Sequence, residues 1–291
     1  MISQTSSKSS LYHVAELNVA MIFMSTSGAL GRYITLDVPA TICLRCVTGS
    51  IFLGLLCRLR GVSLVISSRD IFKFWGLAVL MSASWITYFI SLQKSNVAVA
   101  MLAHFTYPIF IAFLEPIFLK SRFQPAHLLF ALLGLFGVSL LAPSFSLDDQ
   151  VFQGLLFGIL SAFIYSFRNI VMKKQVARYS GMTLMFYQMV MSAVLLSPAL
   201  FYYDLQPLGE MWPYVLALGI IGTAGGHTMF VMAMRHFSIT SLSILSTIQP
   251  IYGILIAMMF LGETPVLRSI LGGTIILATV TLEAIRHSRS R

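Results

Sequence analysis

Ten long apolar stretches with very little chain between them decide what this sequence can be. They cover residues 15–34, 39–57, 71–92, 96–119, 127–143, 152–172, 181–203, 211–234, 238–261 and 266–285. Each approaches the roughly 20 residues that a helix needs to cross about 30 Å of hydrocarbon. Membrane barrel strands are only about 10 residues long and alternate strictly, so these runs read as helices. Charged residues make up 10% of the chain and hydrophobic residues 57%. A soluble domain carries about 25% charged residues. The balance excludes a soluble enzyme and a disordered chain. What remains is a short N-terminal tail (1–14), a first five-helix half (15–143), a second (152–285) and a basic tail (286–291). The fold class expected is an all-α membrane protein of ten transmembrane helices. Residues 1–14 are Ser-rich with one Lys, and the apolar stretch that follows is longer than a secretory h-region ending at a small-residue cleavage site, so it reads as a retained helix.

The net charge of +9 is explained by where it lies. With ten alternating spans and the N-terminus in the cytoplasm, one side receives Lys8, Arg58, Arg60, Arg69, Lys73, Lys120, Arg122, Lys173, Lys174, Arg178, Arg235, Arg286, Arg289 and Arg291. The other side receives Arg32, Lys94 and Arg268, and Arg45 and Arg168 stay within spans. Cytoplasmic loops hold the positive excess. Both termini are therefore expected in the cytoplasm, and no nucleic-acid partner is needed to account for the charge.

The two halves repeat each other. Residues 91–108 (SLQKSNVAVAMLAHFTYP) align without a gap on 233–250 (AMRHFSITSLSILSTIQP), bringing Pro108 onto Pro250. At the same spacing Trp85-x-x-Tyr88 falls on His227-x-x-Phe230. The first and sixth stretches align around Arg32 and Arg168, and Leu44-Arg45 corresponds to Tyr187-Gln188. Five spans per half is an odd number, so the second half enters the membrane inverted. Inverted repeats of this kind build secondary transporters, with the site near mid-membrane at the repeat interface.

The sequence resembles the drug/metabolite transporter superfamily, and within it the EamA-type ten-helix transporters. Gln249-Pro250-Ile251-Tyr252, Phe260-Leu261-Gly262-Glu263-Thr264-Pro265 and Gly272-Gly273 carry the likeness: a mid-helix proline, an L-G-E turn and a glycine-rich last helix. The first half departs from this pattern, with Ser121 at the position matching Glu263 and Glu115-Pro116 placed earlier. The resemblance implies alternating access in an inner (plasma) membrane. It also implies export of amino acids or related metabolites, driven by their own gradient or by protons. Uptake of a nucleotide-like or cofactor-like metabolite is the alternative within the class, and an intramembrane enzyme the alternative outside it. No Walker A or HExxH motif and no nucleophile–base grouping occurs, so the protein reads as a non-enzyme with no cofactor.

Ionisable and polar residues inside spans are costly and become functional candidates. His104 and His227 lie near mid-depth on spans that the resemblance assigns to the cavity; the alternative is hydrogen-bonded packing. Trp85, Tyr88, Tyr165, Phe230 and Gln249 complete an expected substrate site of mostly apolar lining with few polar groups. Arg45 has two readings, a substrate carboxylate ligand or a residue bound to backbone carbonyls, and the resemblance puts its span toward the periphery. Arg168 has two readings, snorkelling toward Lys173-Lys174 or, from its match to Arg32, a structural pairing. Pro108 and Pro250 each remove a helical hydrogen bond and are expected to kink their helices and serve gating. Cys43-x-x-Cys46 reads as packed thiols rather than a redox or zinc pair. Gly154-x-x-x-Gly158 and Gly222-x-x-x-Gly226 read as helix packing within one chain.

The charge count yields a labelling test. In a cysteine-free background, single cysteines beside Asp148 and Glu210 should react with an impermeant thiol reagent in intact cells, and one beside Lys173 should not. The reverse pattern contradicts the orientation.

Overall fold

The computed structural model describes residues 3–119, 126–237, 239, 242 and 245–289. Ser121, with Lys120 and Arg122, lies outside them. The described residues form helices and no strands. In order these are α1 (Ser3–Tyr33), α2 (Val38–Leu59), α3 (Ile71–Lys94), α4 (Val97–His104), α5 (Tyr107–Leu119), α6 (Ala126–Ser139), α7 (Gln150–Gln175), α8 (Gly181–Leu196), α9 (Ala199–Tyr202), α10 (Leu208–Ala217), a π-helix (Leu218–His227), α11 (Thr228–Ala233), α12 (Gln249–Leu261) and α13 (Leu267–Arg289). Helix α1 starts at Ser3, well inside the tail expected from the sequence. Seven helical stretches among the described residues are long and apolar enough to cross a membrane, and Ser246–Leu261 and Leu267–Leu282 are shorter apolar ones.

Local chemistry sets the boundaries. The Asp149 carboxylate caps α7 by accepting from the Val151 and Phe152 amides at 2.8 and 3.1 Å. The Ser144 hydroxyl also donates to it at 2.7 Å. The Ser144 hydroxyl and these amides hold the Asp149 carboxyl below the usual carboxylate range. Asn96 caps α4 through Val99 N at 2.9 Å. Gly262 ends α12 in the left-handed region (φ 66°), where a residue without Cβ carries no steric cost.

Two expected spans are broken where the sequence predicted a kink. Between α4 and α5 the chain turns at Phe105 and Thr106, and Pro108 is the second residue of the new helix. The 3-10 turn Ser246–Ile248 precedes α12, and Pro250 is again second. Neither proline bends a continuous helix. The first turn of a helix has N–H groups with no partner, so a residue lacking one fits there without loss. The residues before each break bond backward: Thr106 Oγ1 donates to Ala103 O at 2.8 Å and Ser246 Oγ to Leu242 O at 2.7 Å. The span holding His227 contains a π-helix, in which Thr223 Oγ1 donates five residues back to Leu218 O at 2.9 Å.

The largest helix–helix face is between α3 and α7. Helix α7 also packs on α4 and α5, while α1 packs on the π-helix and α12. Helices α2 and α8 form one further pair, and α6 and α13 another. Gly154 and Gly158 meet Ser95, Ser91 and Ala103 across the α7 seam, and Gly222 and Gly226 meet Ser27 and Met24 on α1. Both glycine pairs therefore pack within one chain. All three cysteines are buried free thiols.

Gly219 lets the π-helix touch α2. A Cβ there would lie 2.9 Å from Arg45 O and collide with Thr48 Oγ1. Backbone cannot yield as a flexible side chain does, so Gly219→Ala should lose about 1–3 kcal/mol by overpacking. Thermal unfolding in detergent should show a lower midpoint for Gly219→Ala than for Gly209→Ala, whose Cβ meets open space. Equal midpoints would show that the seam tolerates a methyl group.

Candidate functional site

A narrow cavity lies where α1, α2, α3, α4, α5, α7, the π-helix, α11 and α12 converge. Trp85, Tyr88, His104, Tyr165, His227, Phe230 and Gln249 all border it. The structure thus brings all seven expected site residues together. Pro108 and Pro250 sit one residue beyond the lining residues Tyr107 and Gln249. Met24, Ser27, Arg45, Met101, Phe105 and Tyr107 complete the wall.

The aromatic rings meet in tilted and edge-to-face pairs. The His104 ring is 5.2 Å from Tyr88 and 5.0 Å from Tyr165. Tyr165 lies 5.1 Å from Tyr107 and 6.4 Å from Phe230. Trp85 meets its repeat counterpart His227 at 5.0 Å. The free space inside is about 30 Å³, room for about two waters. Any larger solute requires these rings to move apart, so the conformation is closed.

Helices α3 and α7 set the orientation of His104. Ser161 Oγ lies 2.7 Å from Ser84 O; when its proton is on that carbonyl, none is left for the imidazole. His104 Nδ1, 3.0 Å from Ser161 Oγ, is then the donor, and its Nε2 carries the lone pair. Packing and site readings of His104 are therefore compatible: one nitrogen holds the ring in place and the other is spare.

Arg45 does not lie at the periphery. Its side chain is 1% exposed and borders the cavity. Nε donates to Thr223 Oγ1 at 2.7 Å. The guanidinium carbon sits 3.9 Å above Trp85 and 5.4 Å from Phe89. A hydrogen bond to a charged group contributes about 1.5–3 kcal/mol, and a desolvated cation–π contact about 2 kcal/mol. Burying the ion costs several kcal/mol or more. Nη2 is buried with no hydrogen-bond partner, so the compensation stops short. Mid-span position was the sequence signal for Arg45, and the peripheral placement came from the resemblance alone.

Arg168 does not snorkel. It is 1% exposed, and its Nε donates to Gln188 Oε1 at 3.0 Å. Its other nitrogens meet Asn169 Oδ1 at 3.3 Å and the Met185 sulfur at 3.3 Å. Nor does it match Arg32. Arg32 ends its helix by donating to Gln93 O at 2.9 Å. The residue that makes the corresponding contact in the second half is Lys173, which donates to Met234 O and Phe237 O. Ser25 Oγ donates to Gln249 O at 2.9 Å, and Ser166 Oγ to Tyr107 O at 2.8 Å. On that register Arg168 corresponds to Ser27. Glu115 is 3% exposed.

Polar clusters close both ends of the bundle. At one end Asp70, with a side chain 4% exposed, pairs with Lys73 at 2.6 Å and Arg178 at 3.2 Å. It also accepts from Tyr179 OH at 2.8 Å. Thr183 Oγ1 and Tyr187 OH donate to Ser63 O and Leu64 O at 2.9 and 2.8 Å. These contacts stitch the α2–α3 connection to α7 and α8. At the other end Glu263 accepts from Arg32 at 3.1 Å and from Val97 N at 2.9 Å. The second contact places a carboxylate at the N-terminus of α4, where the helix dipole favours it. The L-G-E turn thus locks α12 to α1 and α4. The Arg32–Glu263 ion pair is partly exposed and by itself contributes only about 0–1 kcal/mol.

Comparison with known proteins agrees with the fold. A solved structure titled only as the crystal structure of a protein superposes with a TM-score of 0.71, covering 94% of this chain and 98% of that one at 21% identity. An uncharacterized transporter of Archaeoglobus fulgidus is 27% identical over 71% of this chain and 74% of its own length. An uncharacterized transporter of Bacillus subtilis is 23% identical, covering 97% and 92%. A pseudopaline exporter of Pseudomonas aeruginosa is 23% identical, covering 89% and 90%. The EamA-like transporter family model matches residues 17–142 and 152–283, and this membrane protein belongs to that family.

Proposed function

We propose that the chain is a secondary transporter of the inner (plasma) membrane, exporting amino acids or related small organic metabolites by alternating access. The observation that carries this reading is the closed aromatic cavity at mid-bundle, sealed by separate polar clusters at its two ends. Opening one cluster at a time would expose the cavity to one side at a time. The pseudopaline exporter among the relatives favours export of a small metabolite.

In this reading ten spans form two inverted five-helix repeats, with both termini cytoplasmic. The packing pattern supports it. Exchanging the halves turns α1 on the π-helix into α7 on α3, and α1 on α12 into α7 on α4 and α5; it leaves α2–α8 and α6–α13 as self-matched pairs. The helix breaks before Pro108 and Pro250 are related in the same way. Each break leaves a carbonyl, His104 or Ser246, without the N–H a non-proline residue would supply. Ser246 O accepts from Gln249 N instead, so each junction lacks one regular helical bond and keeps only turn bonds, which suits a hinge.

Counterflow in proteoliposomes against a panel of amino acids and related metabolites tests the function. Time-dependent, protein-dependent exchange of at least one solute is expected. Trp85→Ala and Tyr165→Ala should each lower its rate about tenfold or more, while Phe201→Ala, 90% exposed, should leave it unchanged. Absence of exchange for every solute by folded protein would contradict transport.

The prolines give a separate test. Pro108→Ala and Pro250→Ala supply the missing N–H and favour joining the two segments into one helix. Transport should fall at matched protein level and similar thermal stability. Wild-type rates in both variants would remove the breaks from the cycle.

A further inference from the structure

The cavity wall carries three polar atoms that are buried and lack any hydrogen-bond partner: Ser27 Oγ, Arg45 Nη2 and His227 Nδ1. Their residues are 5%, 1% and 7% exposed. They come from three different elements, α1, α2 and the π-helix, yet they are neighbours. Trp85 touches both Arg45 and His227, at 3.9 and 5.0 Å. Ser27 abuts Gly222, the residue beside the Thr223 that holds Arg45. Buried polar atoms in folded proteins are almost always paired. Three orphans on one small wall are a pattern, and all three are able to donate.

The charge of the wall has one sign. Arg45 is fully ionised at any physiological pH, and among the described residues no Asp or Glu borders the cavity. Among the described residues Arg45 forms no salt bridge. The second buried guanidinium, Arg168, spends its donors on Gln188 and Asn169. Arg45 is hydrogen-bonded through Nε and lies 3.9 Å over Trp85, and its Nη2 is the free donor.

We infer that Arg45, with Ser27 and His227, forms an anion seat that takes the carboxylate of the transported solute. The inference rests on the cavity being the transport site and names the chemical class that it accepts. A carboxylate matches the planar guanidinium edge, and its two oxygens offer enough lone pairs for all three donors. The aromatic layer of Tyr88, Tyr165 and Phe230 then receives the rest of the solute. His104 and Gln249 provide polar contacts farther along the wall.

Proteoliposomes loaded with one defined mixture test this: the twenty amino acids and short mono- and dicarboxylates, each beside its own neutral amide, together with nucleosides and polyamines. Mass spectrometry follows which members leave. Carboxylates should leave in preference to their amides, with at least about a tenfold difference in rate. Arg45→Gln should abolish that preference, and Ser27→Ala should keep it while raising the apparent KM several-fold. The wild-type preference needs no variant, so poor folding of Arg45→Gln does not blunt the test. Export of amides, nucleosides or polyamines as fast as the acids overturns the anion seat and leaves transport intact. Acid preference that survives in folded Arg45→Gln overturns it equally. No movement of any member overturns both the seat and the transport reading.

Discussion

A guanidinium group held in the middle of an apolar bundle organises much of what surrounds it. Arg45 is 1% exposed in a protein whose outer surface faces hydrocarbon. Its ionised form has to be compensated from within. The π-helix supplies the Thr223 hydroxyl, α3 supplies the Trp85 face, and Gly49 and Gly219 bring α2 and the π-helix into backbone contact. A regular α-helix places one fewer residue per turn than the wide π turn, so the local widening sets where Thr223 and His227 fall. Arg168 solves the same problem more completely, with Gln188, Asn169 and two methionine sulfurs around it. The contrast between a satisfied arginine and a partly satisfied one is the observation behind the proposed seat at Arg45.

The breaks in the spans follow from the same economy of hydrogen bonds. In lipid an irregular backbone is tolerated only where it faces protein or a cavity. Both breaks, each followed by a proline, meet that condition: Phe105, Tyr107 and Gln249 border the cavity, and hydroxyls on the neighbouring helices reach into the breaks at Tyr107 O and Gln249 O. The irregularity is therefore concentrated around the cavity. The ends are closed by contacts of a different kind, the ion pairs and hydrogen bonds around Glu263 and the buried Asp70 carboxylate.

Much of this was legible in the residues. Apolar length identified the helices, and the repeat pointed to the spans that meet at the centre. Trp85, Tyr88, His227 and Phe230 were found because the same spacing paired them, and they do converge. What was missed has a physical reason in each case. The helix breaks at Phe105 and Ser246 leave hydropathy unchanged, so a window over apolar residues runs through them. The π-helix over Leu218–His227 differs from an α-helix in hydrogen-bond partner and not in composition. Arg168 lies one turn from Lys173 and Lys174, where a flexible side chain has a plausible route to the interface; Gln188, from another helix, captures it instead. Arg32 was matched to the wrong partner because identity of residue type outweighed position, whereas the contacts pair it with Lys173. Ser27 offered no signal at all, since a single serine in an apolar helix ordinarily bonds back to its own helix.

A central cavity reached from each side in turn is the feature on which the functional reading depends. Thiol labelling measures it directly. Met101 borders the cavity without a polar role, and the native Cys43, Cys46 and Cys57 are replaceable by serine or alanine in the same chain. In Met101→Cys, a small impermeant thiol reagent applied to right-side-out and to inverted vesicles should react from both faces, and a transported solute should slow both reactions. Reaction from neither face, or from one face only under all conditions, would contradict alternating access to this cavity.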